Sequence, residues 1–157
     1  MGRMLVAGLG NIFLGDDGFG VEVARRLTMG PVPEGVDVAD FGIRGVHLAY
    51  ELADVRYDSA VLVDATARGG SPGTLYLIEA AAGDPGDPAP GADAHGLTPA
   101  AVLVWLKHLG APSRRILVVG CEPATLEEGI GLSEPVSAAI GDAIAMVRRL
   151  MVAHTCV

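Results

Sequence analysis

Asp16, Asp17, Asp64 and His95 offer this sequence metal-ligating and acid–base groups. The two adjacent acids close a glycine-rich opening, Met4 to Val21, that reads Met-Leu-Val-Ala-Gly-Leu-Gly-Asn-Ile-Phe-Leu-Gly-Asp-Asp-Gly-Phe-Gly-Val. Two carboxylates and one imidazole, here Asp17, Asp64 and His95, suit a borderline divalent transition metal, held by ligand bonds of about 2.0–2.2 Å. Each residue alone also has an ordinary structural explanation. Asp16 or Asp17 can cap a helix, Asp64 can hold the turn after its strand, and His95 can sit in a solvated loop. Only a fold that brings the trio to one place makes a metal site of them.

Two other chemistries compete. Gly8-Leu9-Gly10 begins like a dinucleotide-binding GxGxxG, and Asp40 falls where a ribose-binding acid would end a second strand. Phe13, however, holds the third glycine position, and paired acids would face a pyrophosphate that needs free N–H groups. Phosphate binding is disfavoured. A thiol hydrolase built on Cys121 is the other option. Nothing nearby in sequence lowers the pKa of that thiol, and a free cysteine usually behaves as a small hydrophobe. No GxSxG elbow offers a serine nucleophile instead.

The elements that must position these groups follow from pattern. Met4–Ala7 reads as a buried strand, followed by a helix on Val21, Val23, Ala24 and Leu27 that Gly30-Pro31 ends. Val36–Phe41 is a second strand, roughly Val46–Leu52 a second helix, and Ser59–Asp64 a third strand with its aspartate at the carboxyl end. Only Ala65–Gly73 separates it from a fourth strand, Thr74–Glu79, too short a link for a parallel crossover, so strand four runs antiparallel to strand three. Ala82–Ala94, rich in Gly, Pro, Asp and Ala, is a solvated loop leading to His95. Thr98-Pro99 opens a third helix with Trp105 in its apolar face, Arg115–Val119 is strand five, and a terminal helix runs from Ser133 or Glu134 to about Met151. His47 reads as a surface or satisfied histidine, and His108 and His154 as solvent-facing helix residues.

Right-handed crossovers put strands two and three on opposite sides of strand one. Strands one and three are then neighbours, about 4.8 Å apart. Asp17 and Asp64 therefore share the carboxyl edge of the sheet, where α/β proteins hold their ligands.

Composition narrows the function class. A chain of 157 residues fits one domain, spanning 1–157, with a core large enough to need no staples. The net charge of -8, with no basic run, argues against nucleic acid. No apolar run approaches a membrane span, and the N-terminus has no signal-peptide pattern. Cys121 and Cys156 form no CxxC and fit reduced thiols, so a soluble cytoplasmic protein is expected.

The opening, Gly8 to Val21, resembles the first motif of the [NiFe]-hydrogenase maturation endopeptidases. The likeness continues in order through Asp40-Phe41-Gly42-Ile43-Arg44-Gly45, Leu62-Val63-Asp64-Ala65, His95-Gly96-Leu97, Gly120-Cys121-Glu122-Pro123 and Gly129-Ile130-Gly131-Leu132-Ser133. It implies a three-layer α/β/α sandwich of the phosphorylase/hydrolase-like kind. The sheet is five-stranded and mixed, order 2-1-3-5-4, with strand 4 antiparallel. It also implies a partner, the large-subunit precursor of a [NiFe]-hydrogenase, whose C-terminal extension is removed after nickel insertion. Asp17, Asp64 and His95 are then the metal-reading and catalytic residues, and the nickel, or another divalent metal at the same site, arrives with the precursor. The metal would polarise the scissile carbonyl or supply the attacking water. Asp40 and Arg44 would face the substrate, Arg44 as a fork for a carboxylate. A non-catalytic chaperone that senses nickel is the alternative. The chain departs from the family pattern in two places: Asp17 stands where glutamate is frequent, and Phe41 and Ile43-Arg44 stand in a motif that is often Asp-Gly-Gly-Thr.

Overall fold

The computed structural model describes residues 2–54, 56–80, 99–110 and 114–155. Five strands, β1 (Arg3–Leu9), β2 (Val36–Gly42), β3 (Tyr57–Ala65), β4 (Leu75–Ala80) and β5 (Arg115–Cys121), form one sheet in the order β2-β1-β3-β5-β4. β2, β1, β3 and β5 are parallel, and β4 lies antiparallel on β5. The short connection after β3 sets that direction, as its length requires. β4 reaches the far edge because it pairs with β5 rather than with β3.

Helices α1 (Phe19–Thr28), α2 (Gly45–Ala53), α3 (Pro99–His108) and α4 (Glu134–Thr155) cover both faces. The alternation of side chains along each strand divides the core in two. Met4, Val6, Val61, Val63, Leu117 and Val119 pack with α1 and α4 on one face. Leu5, Ala7, Leu9, Leu62, Ile116 and Val118 pack with α2 and α3 on the other. The result is the three-layer sandwich. No helix among the described residues is long and apolar enough to cross a membrane.

α1 is pressed unusually close to the sheet, and two glycines allow it. A Cβ on Gly20 would fall 2.0 Å from the Val63 carbonyl oxygen, and one on Gly8 would fall 2.3 Å from the Gly20 carbonyl oxygen. The close packing that dinucleotide folds assign to a third glycine is therefore done by Gly20, while Phe13 points outward at 61 % exposure.

Several details differ from the sequence reading. α4 runs past Met151 to Thr155, because its buried stripe of Val136, Ile140, Ala143, Val147 and Met151 meets no helix breaker. His154 does not face solvent. It is half-buried, 3.3 Å from Ser59 Oγ and 3.3 Å from the Gly2 carbonyl oxygen, which ties the end of α4 to the amino edge of the sheet. Trp105 borders the core rather than filling it. His47 and His108 are exposed, as expected.

Candidate functional site

The chain leaves β1 through Gly10, whose φ of 131° is open to glycine and strained for other residues. Its N–H donates to the Gly42 carbonyl at 2.9 Å, fastening the opening loop to the end of β2. A Cβ here would fall 1.8 Å from the Asp17 carbonyl oxygen and 3.5 Å from Asp64 Oδ1. Gly10 is thus the floor on which the Asp17 backbone and the Asp64 side chain meet. Strand register agrees: Gly8 pairs with both Asp40 and Val63, and Asp64 follows one residue on, beside Gly120 of β5.

Asp17 belongs to a short 3-10 turn, Gly15–Gly18, that joins the loop to α1. Its Oδ2 accepts the Asn11 N–H at 2.8 Å, and Asn11 Oδ1 in turn accepts the Phe13 N–H at 2.9 Å. Asp64 is 5 % exposed, with Oδ1 accepting the Ala65 N–H at 2.8 Å. Burial, and after it the negative charge of Asp17, push the Asp64 carboxyl well above the usual range. Two acids that repel one another at a sheet edge are the environment a cation relieves, and oxygen donors of this kind fit a divalent metal. Among the described residues no three His, Cys, Asp or Glu side chains form a complete metal-binding group. His95 and the Ala82–Ala94 loop lie outside the described residues, as do Thr98 and Cys156.

Asp16 does something the sequence did not reveal. It caps no helix: it is fully buried, 0 % exposed, and its carboxylate gathers a distant loop. Oδ2 accepts the N–H groups of Ala124 at 2.8 Å and Thr125 at 3.1 Å and the Ser133 hydroxyl at 2.8 Å, while Oδ1 accepts the Ser133 N–H at 2.7 Å. Burial pushes this carboxyl up, but the bonds from Ser133, Ala124 and Thr125 outweigh it and hold it below the usual range. The backbone is joined as well: the Asp16 N–H donates to the Thr125 carbonyl, Gly15 N–H to Gly129, and Gly129 N–H to Phe13. The opening loop and the segment after β5 form one bonded unit.

Glu122 was missed for the same reason, its partners being far off in sequence. Its Oε1 accepts the Arg68 N–H at 2.8 Å, the Gly70 N–H at 3.0 Å and the Tyr76 hydroxyl at 2.8 Å. These bonds, the Arg68 N–H foremost, hold it below the usual carboxylate range. Glu122 thereby shapes the loop that follows Asp64.

Asp40 and Arg44 are both exposed at the end of β2. Arg44 Nη2 donates to the Asp40 carbonyl at 2.8 Å and Nε to the Phe41 carbonyl at 3.3 Å, with the guanidinium 5.8 Å from the Phe41 ring centre. Cys121 is buried in the core, and burial, with Asp16 and Glu122 nearby, pushes its thiol up to about 11. Such a thiol is no nucleophile at neutral pH. Peptide mapping after alkylation of the native protein is expected to find Cys121 unmodified, and full modification would return it to consideration.

A family model described as hydrogenase maturation protease matches residues 21–150. A putative hydrogenase maturation protease of Methanocaldococcus jannaschii is 32% identical over 152 residues, covering 92% of this chain and 93% of its own. The hydrogenase 2 maturation protease of Escherichia coli is 32% identical over 150 residues, covering 92% and 88%. Among solved structures, the hydrogenase maturating endopeptidase HybD from E. coli superposes with a TM-score of 0.72 at 28% identity, covering 92% of this chain and 89% of its own.

Proposed function

The chain belongs to the hydrogenase maturation protease family, and on that premise we propose that it is an endopeptidase acting on the large-subunit precursor of a [NiFe]-hydrogenase. The bond cut is the one that releases the C-terminal extension, after nickel has been inserted. The observation that carries this reading is the meeting of Asp17 and Asp64 over Gly10 at the carboxyl edge of the sheet. Asp17, Asp64 and His95 are assigned to the nickel that the precursor brings, two carboxylates and an imidazole suiting that ion.

A divalent ion at this edge would supply Lewis-acid polarisation of the scissile carbonyl. The chain's own groups do the rest. Asn11 N–H orients the Asp17 carboxylate through Oδ2, and its other oxygen has no donor among the described residues. Asp64, whose carboxyl burial and the Asp17 charge push up while no cation is near, would give up its proton as the ion approaches and serve as an oxygen ligand. Arg44 and Asp40, exposed beside the same edge, are assigned to the substrate tail, the guanidinium serving as a fork for a carboxylate.

Incubating a nickel-loaded precursor with the pure protein and weighing the products tests the reading. A released C-terminal peptide and a shortened large subunit are expected. A precursor that is bound but left intact would replace the protease with a nickel-sensing chaperone.

A further inference from the structure

Nine large hydrophobic side chains stand exposed among the described residues, and five of them, Ile12, Phe13, Ile43, Leu126 and Ile130, lie on the loops around Asp17. Exposure reaches 61 % at Phe13 and 79 % at Ile130. Scattered apolar residues are ordinary on a protein surface, but a concentration on loops at one sheet edge is not. These loops are also fixed. Phe13 is bonded through its carbonyl to Gly129, Leu14 pairs with Gly129 in an isolated bridge, and the Asp16 carboxylate anchors 124–133. The backbone holds the side chains out in water.

We propose that Ile12, Phe13, Leu126 and Ile130 form the docking surface for the precursor, gripping an apolar segment of it beside the bond presented to Asp17 and Asp64. The inference rests on the reading of that edge as the cleavage site. Two observations select this occupant. The first is continuity: Asn11, whose N–H binds the Asp17 carboxylate, is followed directly by Ile12 and Phe13. A polypeptide reaching Asp17 has these side chains beside it. The second is charge. Glu127 and Glu128 stand exposed between Leu126 and Ile130, so the rim suits apolar residues flanked by cations. A second copy of this chain, with its net charge of -8, is opposed by the same carboxylates.

Phe13→Ser and Ile130→Ser, singly and together, test the surface by steady-state cleavage and by anisotropy of a labelled nickel-loaded precursor. Each single change is expected to raise KM and weaken binding about tenfold, and the pair more, because apolar burial on docking is forfeited. The thermal midpoint and kcat at saturating precursor should hold. Val152→Ser, an exposed apolar position on α4 at the opposite end of the sheet, should change neither KM nor binding. Unaltered KM and binding in the double variant would overturn the proposal. So would a fall in kcat alone, or a concentration-dependent dimer of the native protein that the double variant abolishes. If the native protein binds precursor without cutting it, the proteolytic reading fails. Weakened binding by Phe13→Ser and Ile130→Ser would then still uphold the docking surface.

Discussion

Asp17→Asn and Asp64→Asn are each expected to lower the processing of a nickel-loaded precursor by about a thousandfold or more, within the range that positioned acid–base groups and metal ligands supply. The fold should survive both. Asparagine keeps an oxygen for the Asn11 N–H at position 17 and for the Ala65 N–H at position 64. At position 64 it also removes a charge that burial and Asp17 make costly. The sign of that effect follows from linkage. The folded Asp64 carboxyl binds its proton more tightly than the unfolded one, so stability falls as pH rises from about 3.8 toward the raised native value. The Asp64→Asn protein lacks this loss and should equal or exceed the native thermal midpoint at neutral pH while failing to cleave. His95→Ala is expected to be equally inactive. Near-normal processing by any of the three variants would sink the assignment of that residue.

The largest expected loss of stability comes from a residue that touches no substrate. Asp16→Ala takes a fully buried carboxylate away from three N–H groups and one hydroxyl of the 124–133 segment, where Ala124 and Thr125 are exposed and Ser133 is half-buried. Hydrogen bonds to a charged acceptor contribute about 1.5–3 kcal/mol each, do not add simply and are partly replaced by water at the exposed donors, so the expected total is about 3 kcal/mol. For a chain of this size that is about 10 °C of thermal midpoint. Asp16→Asn should fall between native and alanine, since one of its two atoms can no longer accept. Acid provides an independent check. A carboxyl held below its unfolded pKa contributes stability that is whole above about 3.8 and lost as pH falls through the native value. Urea titrations at neutral and at acid pH should show that contribution shrinking in the native protein and absent from Asp16→Asn. Equal midpoints for native and Asp16→Ala would show the bonds to be dispensable.

How much of this was legible in the sequence depended on how local the signal was. Strands one and five showed as short apolar runs closed by glycine, and the antiparallel β4 showed in the length of one connection. The strand order from crossover handedness then brought Asp17 and Asp64 together, as the structure does. What stayed hidden was set by groups distant along the chain. Nothing near Asp16 reveals that its partners are Ala124, Thr125 and Ser133, and a neighbouring acid made helix capping the simpler expectation. The three bonds into Glu122 and the His154 contacts share that character, since side chains meeting across a fold leave no period to read. Gly20 was also passed over. A glycine in a helix reads as a weakness until the strand pressed against it is known.

The Asp16 bonds have a consequence for the order of events in folding. They join positions 109 and 117 residues apart, among the most non-local contacts of the chain. Such contacts close large loops of polypeptide and form only after nearer ones have made the closure less costly. The opening motif is synthesised before the segment it needs, and it cannot take its working shape until residues 124–133 have been made and docked. A chain lacking residues 124–133 would carry the acids without the geometry, and peptidase competence would wait on the docking of that segment.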